Sequence, residues 1–234
     1  FTTLLRQAAK ENKYGYVYDR SIEDIEKLKI SEHKDNLAET YFTLTNEEIN
    51  QIYYYKGSNN KPLTPKQEFS KDAFVFECLT GQRVGDCQRL LQDKDLLITE
   101  SNGIQFISFH DQKTRSQCLI PLYNDIVKEI LKKYENNSID IPTVITTNKN
   151  IKEICKRLNM NREVSRTVGN KLVQMPLFEA IHSHVGRHTF VTNMYLSGMS
   201  KEEIIKITGH KNTKMIDNIY LNLTRQDKAD MLAK

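Results

Sequence analysis

The 234-residue sequence has no apolar run approaching the roughly 18 residues that cross a bilayer, and no stretch reads as a signal peptide. Both absences predict a soluble, cytoplasmic chain with no membrane partner. Close C-x-x-C pairs are missing too. Cys78, Cys87, Cys118 and Cys155 are scattered, which argues against a zinc ribbon or a redox dithiol and predicts buried thiols. The three imidazoles of His182-x-His184-x-x-x-His188 come without the glutamate of an H-E-x-x-H helix, so no metal site is expected. An initiator methionine is also lacking, and the helix-like Phe1–Asn12 opens without a cap, so we expect a missing upstream portion. Charge of either sign is not in great excess, at a net +4. That surplus is local. Residues 151–175 hold Lys152, Lys156, Arg157, Arg162, Arg166 and Lys171 against Glu153 and Glu163, a basic stretch that would suit a polyanion such as DNA.

What is present reads as helices with one small sheet. Residues 13–40 suggest a linker, which places a domain boundary near 40, with 1–40 the end of a truncated helical domain and 41–234 the main one. Thr45 with Glu48, Thr64 with Gln67 behind Pro65, and Ser200 with Glu203 are capping-box patterns that open helices. Gly81 and Gly209 are left-handed stops that close two of them, and Gly198 is expected to end a third starting at Ser183. Val84–Leu91, Asn124–Glu135, Asn148–Leu158 and a final segment from Met215 carry helical apolar spacing. Leu96–Glu100, Ile104–Phe109 and Gln117–Leu122 predict a small antiparallel sheet, and Gly169-Asn170 suggests a hairpin between Val164–Val168 and Leu172–Val173. The fold class expected is mainly α with a small antiparallel β-sheet.

Several polar residues stand where they could act on an anion. With Ser183 as N-cap, His184 and Arg187 share one face of a helix first turn, where free N–H groups and the dipole favour phosphate. Arg83 and Asp86, also three apart, could touch. Lys113 and Arg115 sit at a loop tip between two strands, able to reach a ligand held by the helices. Arg187–Gly209 forms two short helices around a turn, but Glu202 and Glu203 in the second make a poor DNA-reading head.

Taken together, Thr80-Gly81-Gln82-Arg83-Val84-Gly85-Asp86, His184-Val185-Gly186-Arg187, Gly209-His210 and Tyr220 resemble the ordered boxes of the tyrosine recombinases, the phage and transposon integrase family. The resemblance covers roughly residues 41–234. It implies catalytic roles for Arg83, Lys113, His184, Arg187, His210 and Tyr220, with Asp86 as a brace. It implies cleavage without metal or cofactor. Arg83 and Arg187 would grip nonbridging phosphoryl oxygens, His210 would donate a further hydrogen bond, and Tyr220 would attack phosphorus. His184 would be the base toward the tyrosine and Lys113 the acid toward the 5′-oxygen. The partners implied are double-stranded attachment sites in the bacterial nucleoid, a homo-tetramer on two duplexes whose tail after Tyr220 reaches a neighbour, and possible accessory DNA-bending factors. A type IB topoisomerase and a noncatalytic DNA-binding module are the alternatives. Three departures from the pattern stand out. Gln82 occupies an apolar place, Gly186 replaces a leucine at about 1 kcal/mol of helix propensity, and Tyr220 follows His210 by one residue more than usual.

Overall fold

A computed structural model describes residues 42–58, 61–93, 96–135, 139–168, 171–214 and 216–217. The expected helix at Phe1–Asn12, the linker, the boundary near residue 40, Tyr220 and the tail lie outside the described residues. Among those described, no helix is long and apolar enough to cross a membrane.

Local signals account for where most elements begin and end. Helix α1 (Asn46–Tyr54) starts from a complete Thr45/Glu48 capping box, and α2 (Pro65–Thr80) from the Thr64/Gln67 box with Pro65 in its first turn. A two-residue hairpin, β1 (Gly57–Ser58) with β2 (Lys61–Pro62), lies between them. Gly81 stops α2 in the left-handed conformation at φ 69°. A side chain there would also strike Phe190, whose Cδ1 lies 2.3 Å from the position a Cβ would take. After α3 (Val84–Leu90) the chain forms the antiparallel sheet β3 (Ile98–Ser101), β4 (Ile104–His110) and β5 (Gln117–Pro121) in that spatial order. Helix α4 (Asp125–Tyr134) is capped by Asn124.

Two expectations need correction. Helix α5 (Val144–Arg157) begins from Thr143, whose side chain accepts the Thr146 N–H, several residues before Asn148; Val144 and Ile145 are exposed, so this first turn carries no inward apolar pattern to read. Helix α7 (Ser183–Leu196) is capped by His182 in extended conformation with no side-chain cap bond, so Ser183 is its first helical residue and not its N-cap. Its N–H is already taken by Asn148 Oδ1 at 2.8 Å. The hairpin suggested around 169–170 is present and longer than expected, with β6 (Glu163–Val168) paired to β7 (Lys171–Pro176). It leads through α6 (Leu177–Ala180) into α7, and α8 (Lys201–Thr208) runs from the Ser200/Glu203 box to a left-handed Gly209.

Helix α2 organises the packing. It is buried on nearly every side from Phe69 to Thr80 rather than along a single stripe, and it contacts α1, α3, α4, α5 and α7. Its crossing with α7 explains Gly186. A Cβ at that position would lie 3.1 Å from Glu77 Cγ and 3.2 Å from Cys78 Sγ, so the missing side chain is what lets the two helices approach. A second core of Phe190, Val191, Ile204, Ile207 and Ile216 joins α7 to α8, and α8 rests on β5. The C-terminal ends of α2 and α8 are thereby brought to the loop between β4 and β5.

Candidate active site

The site is assembled from three chain segments, each aimed by a turn. Past Gly81 the chain extends, so Arg83 stands at the start of α3 with φ −71° and ψ 147°. Past Gly209, His210 leaves the end of α8; a Cβ at Gly209 would come within 2.6 Å of Cys118 Sγ on β5, so the turn is pressed against the sheet. Arg187 projects from the second turn of α7 and is 3% exposed.

These side chains meet. Arg187 donates from Nη1 to the Gly81 carbonyl at 2.8 Å, and from Nε and Nη2 to His210 Nε2 at 3.2 and 2.8 Å. Thr208 Oγ1 donates to the Ile204 carbonyl and lies 2.7 Å from His210 Nδ1, so it accepts there. That assigns the His210 proton to Nδ1 and leaves Nε2 as acceptor. Burial, with Arg187 and Arg83 nearby, pushes the His210 pKa down to about 3 and keeps the ring neutral. Burial followed by the charge of Arg83 lowers Arg187 to about 10. Two guanidinium groups thus act on each other across a largely buried space, a cost that an anion between them would relieve.

Sequence reasoning missed the residue that tethers Arg83. Its Nη1 forms an ion pair with Oδ2 of Asp111, which is fully buried at the base of the β4–β5 loop. The expected Arg83–Asp86 contact is not what the structure places there. Asp86 turns instead to Arg89, at 3.2 Å, and accepts the Gln112 N–H at 3.2 Å. The other Asp111 oxygen accepts the Thr114 N–H at 2.6 Å, and the Thr114 hydroxyl lies 2.8 Å from that oxygen and 3.3 Å from the Gly209 carbonyl. One loop therefore links Arg83 to the turn before His210. The D-x-x-T spacing of Asp111 and Thr114 is the local sign of such a turn. Lys113 and Arg115 ride on this loop as exposed side chains, Arg115 at a left-handed φ of 57°.

His184 is exposed near the start of α7, its ring 6.4 Å from that of His182 in an edge-to-face arrangement. The anion receptor expected from the first turn of α7 is not how Arg187 is used: buried a turn further on, it points at the ends of α2 and α8. The basic stretch divides. Arg162 is spent on Glu48 at 2.9 Å and the Thr43 carbonyl, Arg157 on Glu153, and Arg166 donates to the Ala180 carbonyl at 3.2 Å. Lys156 lies 5.8 Å over the Phe178 ring. Lys152 and Arg166 come near enough to His182 to help hold its pKa down, after burial as the main cause. Lys171 is exposed at the start of β7.

A model of the phage integrase family matches residues 43–227. No curated protein sequence matches the chain. Among solved structures it is similar to the XerH site-specific recombinase bound to palindromic difH substrate in a post-cleavage complex, at 17% identity and a TM-score of 0.55 over 81% of this chain and 52% of that one. It is similar to the Tn1549 transposon integrase in complex with transposon right end DNA, at 18% identity and 0.54, over 100% and 85%. It is also similar to XerA recombinase, at 18% and 0.52, over 82% and 64%. Identities this low establish a shared fold, and the chain spans about half the length of the XerH recombinase.

Proposed function

Because this chain belongs to the phage integrase family of tyrosine recombinases, we propose that it cleaves and rejoins DNA strands at attachment sites, for integration or excision of a mobile element. The observation that carries this reading is the convergence of Arg83, Arg187 and His210, from segments far apart in sequence, around a space with surplus positive charge. A phosphodiester there would draw the Arg187 N–H groups now spent on His210, two donors in the plane that matches two phosphoryl oxygens. His210 would complete the cradle once its Nε2 carries the proton. In the cleavage step the Tyr220 oxygen bonds to phosphorus as the bond from phosphorus to the 5′-oxygen breaks. His184 takes the phenolic proton, and Lys113, swung in on its loop, supplies one to the departing oxygen. Attack by the 5′-hydroxyl of another strand reverses the sequence and joins new partners.

The DNA duplexes, a tetramer of chain copies with the tail after Tyr220 reaching a neighbour, accessory bending factors and residence in the nucleoid all belong to this proposal. So does DNA contact by Lys152, Arg166, Lys171, Arg115 and Lys156, with Arg157 and Arg162 reaching phosphates only by leaving their present partners. A nicked suicide duplex tests it: covalent capture should give an SDS-resistant adduct that Tyr220→Phe abolishes. An adduct surviving in that variant removes Tyr220 as nucleophile, and plasmid relaxation without any defined site would favour the topoisomerase reading.

A further inference from the structure

We propose that Gln82 is a positioning residue for the reaction: its carboxamide fixes the distance between the turn that carries Arg83 and the turn that carries His210. The side chain is fully buried, and its two amide hydrogens go to two different helices, one to the Thr80 carbonyl at 2.8 Å and one to the Ile207 carbonyl at 2.8 Å.

Those acceptors are the reason the contact matters. Thr80 is the last residue of α2, and Ile207 is the next to last of α8. The last four carbonyls of an α-helix have no partner within the helix. The left-handed glycines satisfy only one each, Gly81 N–H to the Glu77 carbonyl and Gly209 N–H to the Ile205 carbonyl. Gln82 supplies donors to one further carbonyl at each end. An NH2 group offers two hydrogens at a fixed angle in one plane, so satisfying both carbonyls sets the separation of the two helix ends.

The link also closes a circuit. From Gly81 the path runs through its carbonyl to Arg187, from Arg187 to His210 Nε2, back along the chain to Ile207, and through the Gln82 amide to Gly81 again. Cut at Arg187 or His210, that circuit loses a residue implicated in chemistry; cut at Gln82, it loses only geometry. Gln82 Oε1 is buried and has no hydrogen-bond partner among the described residues. Leaving that oxygen unpaired costs stability. The two donors are what this side chain contributes, and they account for a polar residue at a place where the family's pattern is apolar.

The inference rests on the recombinase reading for its kinetic arm and stands apart from it in its spectroscopic arm. Gln82→Leu removes both donors, and Gln82→Glu keeps the shape while replacing the donors with oxygen. In the full chain, single-turnover cleavage of a saturating nicked duplex should fall about tenfold or more in both variants while DNA affinity holds, the signature of misplaced groups rather than lost binding. Combined with His210→Ala, Gln82→Leu should cost nothing further; combined with Lys113→Ala, the losses should multiply. Ring-nitrogen NMR should show the His210 Nε2 resonance moving as its bond with Arg187 loosens. Cleavage at the wild-type rate with an unmoved resonance would overturn the proposal, and so would a rate loss that merely tracks the unfolded fraction. If Leu does not fold, Glu decides on the same criteria. If wild type forms no adduct yet the resonance moves in the variants, the recombinase reading fails while the link by which Gln82 places His210 stands.

Discussion

Two buried charge clusters lie along helix α2, one at its first half and one at its end, and they are built on opposite terms. In the first, Lys71 and Asp72 are both almost fully buried. Lys71 Nζ lies 3.2 Å from Asp72 Oδ1 and donates to the Tyr53 and Tyr55 carbonyls at 2.8 and 3.2 Å, the carbonyls that end α1. Lys133 from α4 reaches Asp72 Oδ2 and Glu68, each at 2.6 Å, and the Tyr134 hydroxyl donates to Asp72 at 2.8 Å. Two cations face two carboxylates and the account closes. At the other end Arg83 pairs with Asp111 and Arg187 makes no ion pair among the described residues, while His210 is neutral and burial pushes the Glu77 carboxyl well up, toward its neutral form, against the opposing pull of Arg187. Two cations face one carboxylate. The first cluster holds helices together; the second is one anion short, and a phosphodiester is the group that would complete it.

The sharpest way to break this contrast is to remove a cation from the open cluster. Arg187→Ala should lower single-turnover cleavage by about 10²–10³-fold, the usual cost of losing a preorganised donor to a developing oxyanion. Arg187→Lys should recover little, because a point charge cannot bond Gly81 and the ligand in one plane. Activity within tenfold of wild type would show that Arg187 serves the fold alone. The matching cut in the closed cluster is Asp72→Ala, which strands Lys71 at zero exposure. Urea unfolding should then show a loss of about 3–5 kcal/mol. A loss under about 1 kcal/mol would mean that the closed cluster contributes no more than surface pairs do.

How far the sequence discloses these clusters depends on the range of the signal. The Thr45, Thr64 and Ser200 boxes and the Gly81 and Gly209 stops are written within four residues, and the elements begin and end at them. The residues Arg83, Arg187 and His210 were legible through the order of their boxes, and the structure brings those three together. Their supports were not. Asp111 lies 28 positions from Arg83 and pairs with it only because β5 seats the loop beneath α8. Asp86 looks like Arg83's partner by spacing, yet Arg83 precedes the first turn of α3 in an extended conformation, so the helical i, i+3 geometry that pairs Asp86 with Arg89 does not extend to it. Gly186 reads as a weak helix residue until α2 crosses it. Lys71 and Asp72 carry no sequence signal of burial, because periodicity cannot show that a helix is covered on every side.

The smallest cut separates the clusters by sign. Glu77 is 1% exposed, both of its oxygens lack hydrogen-bond partners among the described residues, and no ion pair within 4.0 Å joins it to Arg187. Its neighbours in charge are Arg187 on α7, with Cys78 on its own helix and Cys87 on α3. Its carboxyl ionises well above the ordinary range in the fold, so the unfolded chain releases that proton first, near pH 4.3. Stability from this group is complete below about pH 4 and falls as pH rises toward the folded value. Glu77→Leu removes that slope and the unsatisfied oxygens together. It should therefore gain on wild type as pH rises, reaching an advantage of about 1–3 kcal/mol near neutrality. Urea melts at several pH values would read the divergence directly. A wild type that is the more stable at neutral pH would mean that Glu77 is ionised against Arg187, which would make the second cluster as balanced as the first and leave no room in its charge for a phosphate.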